Sequence, residues 1–329
     1  MKIEMMEYLS NKISDVNILK NIIEVLDGMN FLETKEIVNA LEECDFKKYA
    51  LDLVINKNVL NTRTVEEQIR LIEVLKNCGY NKDVYEVIVD LNILKNRITD
   101  EQIRLIEVLK ENDYNVNVYY AIIDLFLLKN RTVEEQIKLI EIYKKCDYNE
   151  DVYYAIINLF LLKNRTVEEQ IKLIEVLKEN DYNEKVYYII ADSNVLENRT
   201  VEEQMKLIEV LKENDYNEKA YYIITDPNVL ENRTVEEQQK LIEVLKNSDY
   251  NKNVYEIIID SEILKNRTME DQIKMIELLK MQKIYHDENI NNKLPLKDFK
   301  SYLKELKSKM GKDADIKSDT MVKVYNPKE

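Results

Sequence analysis

Tryptophan is absent from this 329-residue chain, and glycine and proline occur only three times each. So little Gly and Pro leaves no material for phosphate-cradling loops or for the tight turns of an all-β fold. A nearly wholly helical chain is expected. Cysteine is also scarce. Cys44, Cys78 and Cys146 make an odd set with no CxxC pair, which excludes a disulfide framework and a thiolate metal site. The single histidine, His286, has no neighbouring set of metal ligands, so neither a metal nor a cofactor is expected. No G-x-G-x-x-G, Walker, G-x-S-x-G or H-E-x-x-H motif occurs, and no catalytic residues are assigned. The start, MKIEMMEYLSNKI, lacks the apolar core of a signal peptide, and no run approaches a membrane span. A reduced, cytoplasmic, non-enzymatic protein is expected. Its abundant Lys, Asn and Ile point to an AT-rich bacterial or phage genome.

What the chain has is repetition. The stretch NRTVEEQIKLIEVLK at 164–178 recurs, with its Gln at Gln68, Gln102, Gln136, Gln170, Gln204, Gln238 and Gln272, always 34 residues apart. An Arg stands five positions before each Gln, from Arg63 through Arg165 to Arg267. A fixed period of this length means a repeat array whose units bury their cores on one another. In the unit opening at Thr166, Thr-x-x-Glu forms a capping box. The following helix, to about Lys178, places Val167, Ile171, Leu173, Ile174, Val176 and Leu177 on one broad apolar arc. Glu168 and Lys172 are spaced for an i,i+4 pair on its exposed strip. In the unit where Ile98 replaces the Thr, the box is expected to shift to Thr99. Asn180-Asp181-Tyr182-Asn183 reads as a turn, and a second helix covers about Glu184 to Asp192. Ser193 to Leu196 reads as a connection, and Pro227, at the same place in the next unit, marks helix B as ended by there.

The period and the helical hairpin resemble tetratricopeptide repeats over about Thr34 to Lys280, without their W-x-x-L-G-x-x-Y signature. In repeat length alone, the units are also similar to the repeats of transcription activator-like effectors. The expected fold is an all-α, right-handed α-solenoid (superhelix) of tandem 34-residue helix-turn-helix repeats with helical caps at both ends. Residues 1–33 are assigned to an N-terminal cap. Residues 34–60 form a degenerate first repeat, in which the turn aromatic Phe46 follows Thr34 by twelve positions rather than sixteen, so that its first helix is expected to be a turn short. The tandem repeats take 61–282, a C-terminal capping helix takes 283–311, and 312–329 form a loose tail.

Three repeated positions are read as structural. Gln170 falls inside the apolar arc and must find partners, because an unpaired buried amide costs about 1–3 kcal/mol. Arg165 and Asp192 recur beside it and are expected to form a charge ladder between units. A fourth position is Tyr120, Tyr154, Tyr188 and Tyr222 in the central units and Glu86 and Glu256 in the outer ones. It lies near Ile123 and Ile157 on the helical wheel. Two readings stand: an outward Tyr stripe that binds a partner, or packing between units.

The net charge of −15 is uneven, because residues 293–329 hold ten Lys against six acids and leave −19 on the rest. Such a surface repels nucleic acid and anionic membranes. The function expected is a protein-binding scaffold or adaptor for a protein or peptide partner, a basic one included. The alternative is an acidic decoy, phage-encoded in one reading, that occupies a basic nucleic-acid-binding site on a host protein. Self-association is a further expectation for the same surface.

Overall fold

The computed structural model describes residues 3–292, with side chains over 4–280. The predicted C-terminal capping helix beyond residue 292 and the tail 312–329 lie outside the described residues. Among the described residues every regular element is an α-helix, and their contacts are those of an α-helical solenoid. It forms two compact units, split after Tyr250.

Two helices precede the array, Ile3–Lys12 and Val16–Asp27. Asp15 caps the second, its carboxylate accepting from the amides of Asn17 and Ile18, and Gly28 ends it. This helix lies against Lys48–Ile55 and buries Ile22 and Leu26 there.

Each repeat then has three helices, here called A, B and C. The unit at the centre runs Val167–Glu179, Glu184–Ala191 and Ser193–Asn198. Helix C occupies the stretch the sequence reading left as a connection. It is only six residues long, too short to show a hydrophobic period. Pro227 stands at its first position in the next unit, where a missing N–H costs nothing.

Helix A opens with the predicted box: the Thr166 hydroxyl accepts from the Glu169 amide at 3.2 Å, and the Glu169 carboxylate accepts from the Thr166 amide at 2.8 Å. Where Ile98 replaces Thr the box does not shift. Helix A still starts at Thr99, and only the Glu101 half of the box remains, at 3.1 Å. Thr99 instead donates to Glu67 of the preceding unit at 2.6 Å. The first helix A is not a turn short either. It spans Phe31–Glu43, capped by Asn30 and Glu33, so Asn30 is the counterpart of Thr64 one period on. Thr34 takes the Gln position inside that helix.

Helix A ends in a Schellman motif: Tyr182 N donates to Leu177 O and Asp181 N to Lys178 O, both at 3.0 Å. Asp181 and Tyr182 both take left-handed φ, 50° and 55°, and only the unit with Gly79 uses glycine in this turn. Asn183 caps helix B by accepting from the Lys185 amide.

Within residues 1–250, A packs on A and C on C of adjacent units, B packs on B in most of them (Glu150–Ile157 on Glu184–Ala191, and that on Glu218–Thr225), and each B also touches the next A. Val167, Leu173, Ile174, Val176 and Leu177 are buried as expected, with Val186, Ile189 and Ile190 from B and Val195 and Leu196 from C; Ile171 is half-buried. Each fully buried Leu or Ile contributes about 1.5–3 kcal/mol, so every interface between units holds a core of its own.

In the second unit, Lys252–Ile259 and Ser261–Asn266 lead into one long helix, Met269–Asn292. The repeat pattern fades past Lys280, yet the helix continues unbroken.

Candidate partner-binding face

The polar positions inside the array are consumed by packing. The Arg165 guanidinium donates to Arg199 O at 2.6 Å and Leu196 O at 3.2 Å in the next unit, and to Gln204 Oε1 at 3.0 Å in the unit after it. Gln170 is fully buried; its Nε2 donates to Ala155 O and Ile156 O at 2.8 and 3.0 Å, and its Oε1 accepts from Arg131. Rungs of this Arg–Gln ladder repeat from Arg63 to Arg199. Burial pulls these guanidinium pKa values down from their usual value. The expected Arg165–Asp192 charge ladder is replaced by this one. Asp192 instead caps helix C, accepting from the amides of Asn194 and Val195 at 2.9 and 3.0 Å. Its carboxylate is held by local backbone donors that the Arg cannot supply.

The exposed edge of helix A behaves similarly. Glu168 takes Lys138 of the preceding unit at 2.7 Å, and Lys172 reaches Glu202 of the next at 3.9 Å, in place of the expected pair within one helix. Arg70–Asp100 and Arg104–Glu134 continue the row. In the turns, Tyr182 donates to Cys146 O at 3.4 Å and Tyr216 to Asn180 Oδ1 at 2.8 Å, which ties each turn to the unit before it.

Helix B carries what remains. Tyr120 is 51% exposed, and Tyr154, Tyr188 and Tyr222 are each 45% exposed, so this position faces outward rather than into the contact between units. The reason is local. The Asn cap starts the helix one residue before Glu150, Glu184 and Glu218, where the positive helix terminus favours a carboxylate. The outward Tyr stands four residues on, directly above it. The Tyr hydroxyls donate to these Glu Oε1 atoms at 3.1, 2.9 and 2.9 Å. Those bonds hold the phenol pKa values above the ordinary 10.0. In the first central unit Val116, itself exposed, takes the Glu position below Tyr120. Glu86 and Glu256, at the Tyr position of the outer units, pair with Lys82 and Lys252 at 3.1 and 3.5 Å.

Beside each outward ring lies the preceding Tyr, half-buried. The pairs Tyr119–Tyr120, Tyr153–Tyr154, Tyr187–Tyr188 and Tyr221–Tyr222 have centroids 5.5, 5.9, 5.6 and 5.4 Å apart and tilted planes. Burial first, then Asp151 and the preceding unit's Tyr154, raises the Tyr187 pKa; Tyr221 answers in the same way to Asp192 and Tyr188. From Tyr153 on, the inner ring therefore lies within electrostatic reach of the outer ring of the unit before it, and the pairs join into one band; Tyr119, at its start, donates to Glu86 instead. Ile123 and Ile157, predicted to flank it, are half-buried and leave only part of their surface free. Phe126 and Phe160, on helix C of the same units, are 44% and 47% exposed.

No protein-family model matches this chain, and no curated protein matches it.

Among the described residues, no group of His, Cys, Asp or Glu is arranged to hold a metal ion, and no helix is long and apolar enough to cross a membrane. The residues the sequence reading missed are Glu150, Glu184 and Glu218. Their signal was present as Glu-x-x-x-Tyr, the helical spacing that lets a phenol reach a carboxylate one turn back.

Proposed function

We propose that this chain is a non-enzymatic protein-binding scaffold that engages its partner through the Tyr band of the central B helices. One observation carries the reading: four Tyr side chains about half exposed, one per unit, each beside a second ring. Exposed aromatic rings with a polar tip bring large contact area at small entropic cost, which is what interface cores select. The other repeated polar groups already serve the array. A random-peptide display library selected on the full chain tests this. Selected peptides should lose binding to a variant with Tyr120, Tyr154, Tyr188 and Tyr222 all changed to Ser, while its circular dichroism and melting temperature stay near those of the parent. Unchanged binding by the folded variant would end the proposal.

The acidic-decoy reading is supported by the −19 carried by residues 1–292. It requires affinity that falls steeply with salt and that survives in the folded Tyr-to-Ser variant, whereas binding through the band is lost in that variant. The same selected peptides, measured on both proteins and at two salt concentrations, separate the two readings.

A further inference from the structure

The band has a period as well as a composition. Three units present the same cup: a Tyr ring about half exposed and a Glu carboxylate held at its edge, Glu150 with Tyr154, Glu184 with Tyr188, and Glu218 with Tyr222. The phenol occupies Oε1, which leaves Oε2 to accept from a second donor. A guanidinium or ammonium over the ring would meet both the ring's negative face and the carboxylate. Lys185 and Lys219 are the cations on the same helices, and Lys219 donates to Tyr250 O.

The cups recur on helices that pack directly on one another, so they stand about 8–10 Å apart. A polyproline II segment rises about 3.1 Å per residue with three residues per turn, so every third residue returns to one side after about 9 Å. A β-strand covers the same distance in three residues but turns alternate side chains away. An α-helix would need its matching residues seven apart, and its girth of about 10–12 Å needs a trough that half-exposed rings do not form. Resting on the scaffold reading, we propose that the band binds a cationic segment in the polyproline II conformation, with Arg or Lys at every third residue.

The probe is a labelled dodecapeptide of four Arg-Pro-Ser triplets, titrated against the full chain by fluorescence anisotropy. Three controls accompany it: the same residues with the four Arg contiguous, a Glu-Pro-Ser version, and a helical peptide with Arg seven apart. The triplet peptide should bind about tenfold tighter than the contiguous one, a difference of about 1.4 kcal/mol. Affinity should fall at least about fivefold when Glu150→Gln, Glu184→Gln and Glu218→Gln are combined, the scale of lost charge-assisted contacts at exposed sites. Equal binding of the contiguous or the helical peptide, or full affinity in the Gln variant, would overturn the inference. If selected neutral or acidic peptides bind in a Tyr-dependent way and the triplet peptide does not, this inference falls and the scaffold reading stands. If no peptide of any charge binds in a Tyr-dependent way, both fall.

Discussion

Gln170 shows how one residue can join three units. It donates to two helix B carbonyls and accepts from Arg131, all out of water. Gln170→Leu keeps the volume and removes all three bonds, leaving two carbonyls and part of a buried guanidinium without that partner. The expected loss is about 2–3 kcal/mol, seen as a lower urea midpoint. Gln68 is the contrasting case. Its Oε1 is buried without a partner, because the position 39 residues earlier holds Met29 where later units have Arg. Its Nε2 donates only to Arg63 O, at 3.1 Å. Gln68→Leu should therefore cost about 1 kcal/mol or less. Equal costs at the two sites would show that the ladder adds nothing to a lone amide. That Gln170 must be paired was legible in the sequence, since it falls on an apolar arc. Which atoms pair with it was not, because those partners lie 14, 15 and 39 residues away.

At the scale of the element, helix C is the informative one. Six residues cannot hold a helix in water, so it exists through its cap and its buried Val195 and Leu196. Asp192 serves both helices: it ends B in extended conformation, φ −69° and ψ 127°, and its side chain starts C. Asp192→Ala should cost about 1 kcal/mol of stability by urea denaturation. Ser193→Pro copies Pro227 of the next unit, and the extended Asp192 is the backbone a following proline requires. It should gain about 0.5 kcal/mol through the unfolded chain, read as a raised melting temperature. A loss instead would mean that the Ser193 amide has a bond in this unit that Asp226-Pro227 does without.

For the whole molecule, the many tyrosines set an alkaline limit. Burial, assisted by the Cys44 thiol at Tyr80, Glu86 at Tyr119, Tyr153 and Glu150 at Tyr143, and the Cys146 thiol at Tyr182, pushes these four phenols up to about 12. Their folded pKa values lie above the ordinary 10.0, so the unfolded chain releases these protons first. Their contribution is fully present below pH 10 and is lost as pH rises toward 12. The melting temperature should hold level to about pH 10 and then fall, with phenolate absorbance appearing together with unfolding. Phenolate appearing at its ordinary pH in a chain that stays folded would contradict this. The repeated ion pairs along helix A are exposed, and such pairs contribute little each, so moderate salt at neutral pH should change the melting temperature only slightly.

The sequence by itself determined the period, the A and B helices, their capping boxes and the apolar arc. These rest on interactions within a turn or two of chain, and their spacing can be read directly. Seven copies in one frame also made an array the only economical way to bury that arc. Tertiary structure decided the rest. Helix C forms only because neighbouring units bury it. Arg165 bonds carbonyls and Gln204 instead of Asp192, and Lys172 pairs with Glu202 instead of Glu168. A repeat states that equivalent positions stack, but not which atoms meet when they do. The Tyr position shows this most plainly: the helical wheel left Tyr188 free to face outward or toward the next unit. Packing of B against its neighbours filled the side lined by Val186, Ile189 and Ile190 and left the ring of Tyr188 outside, above Glu184.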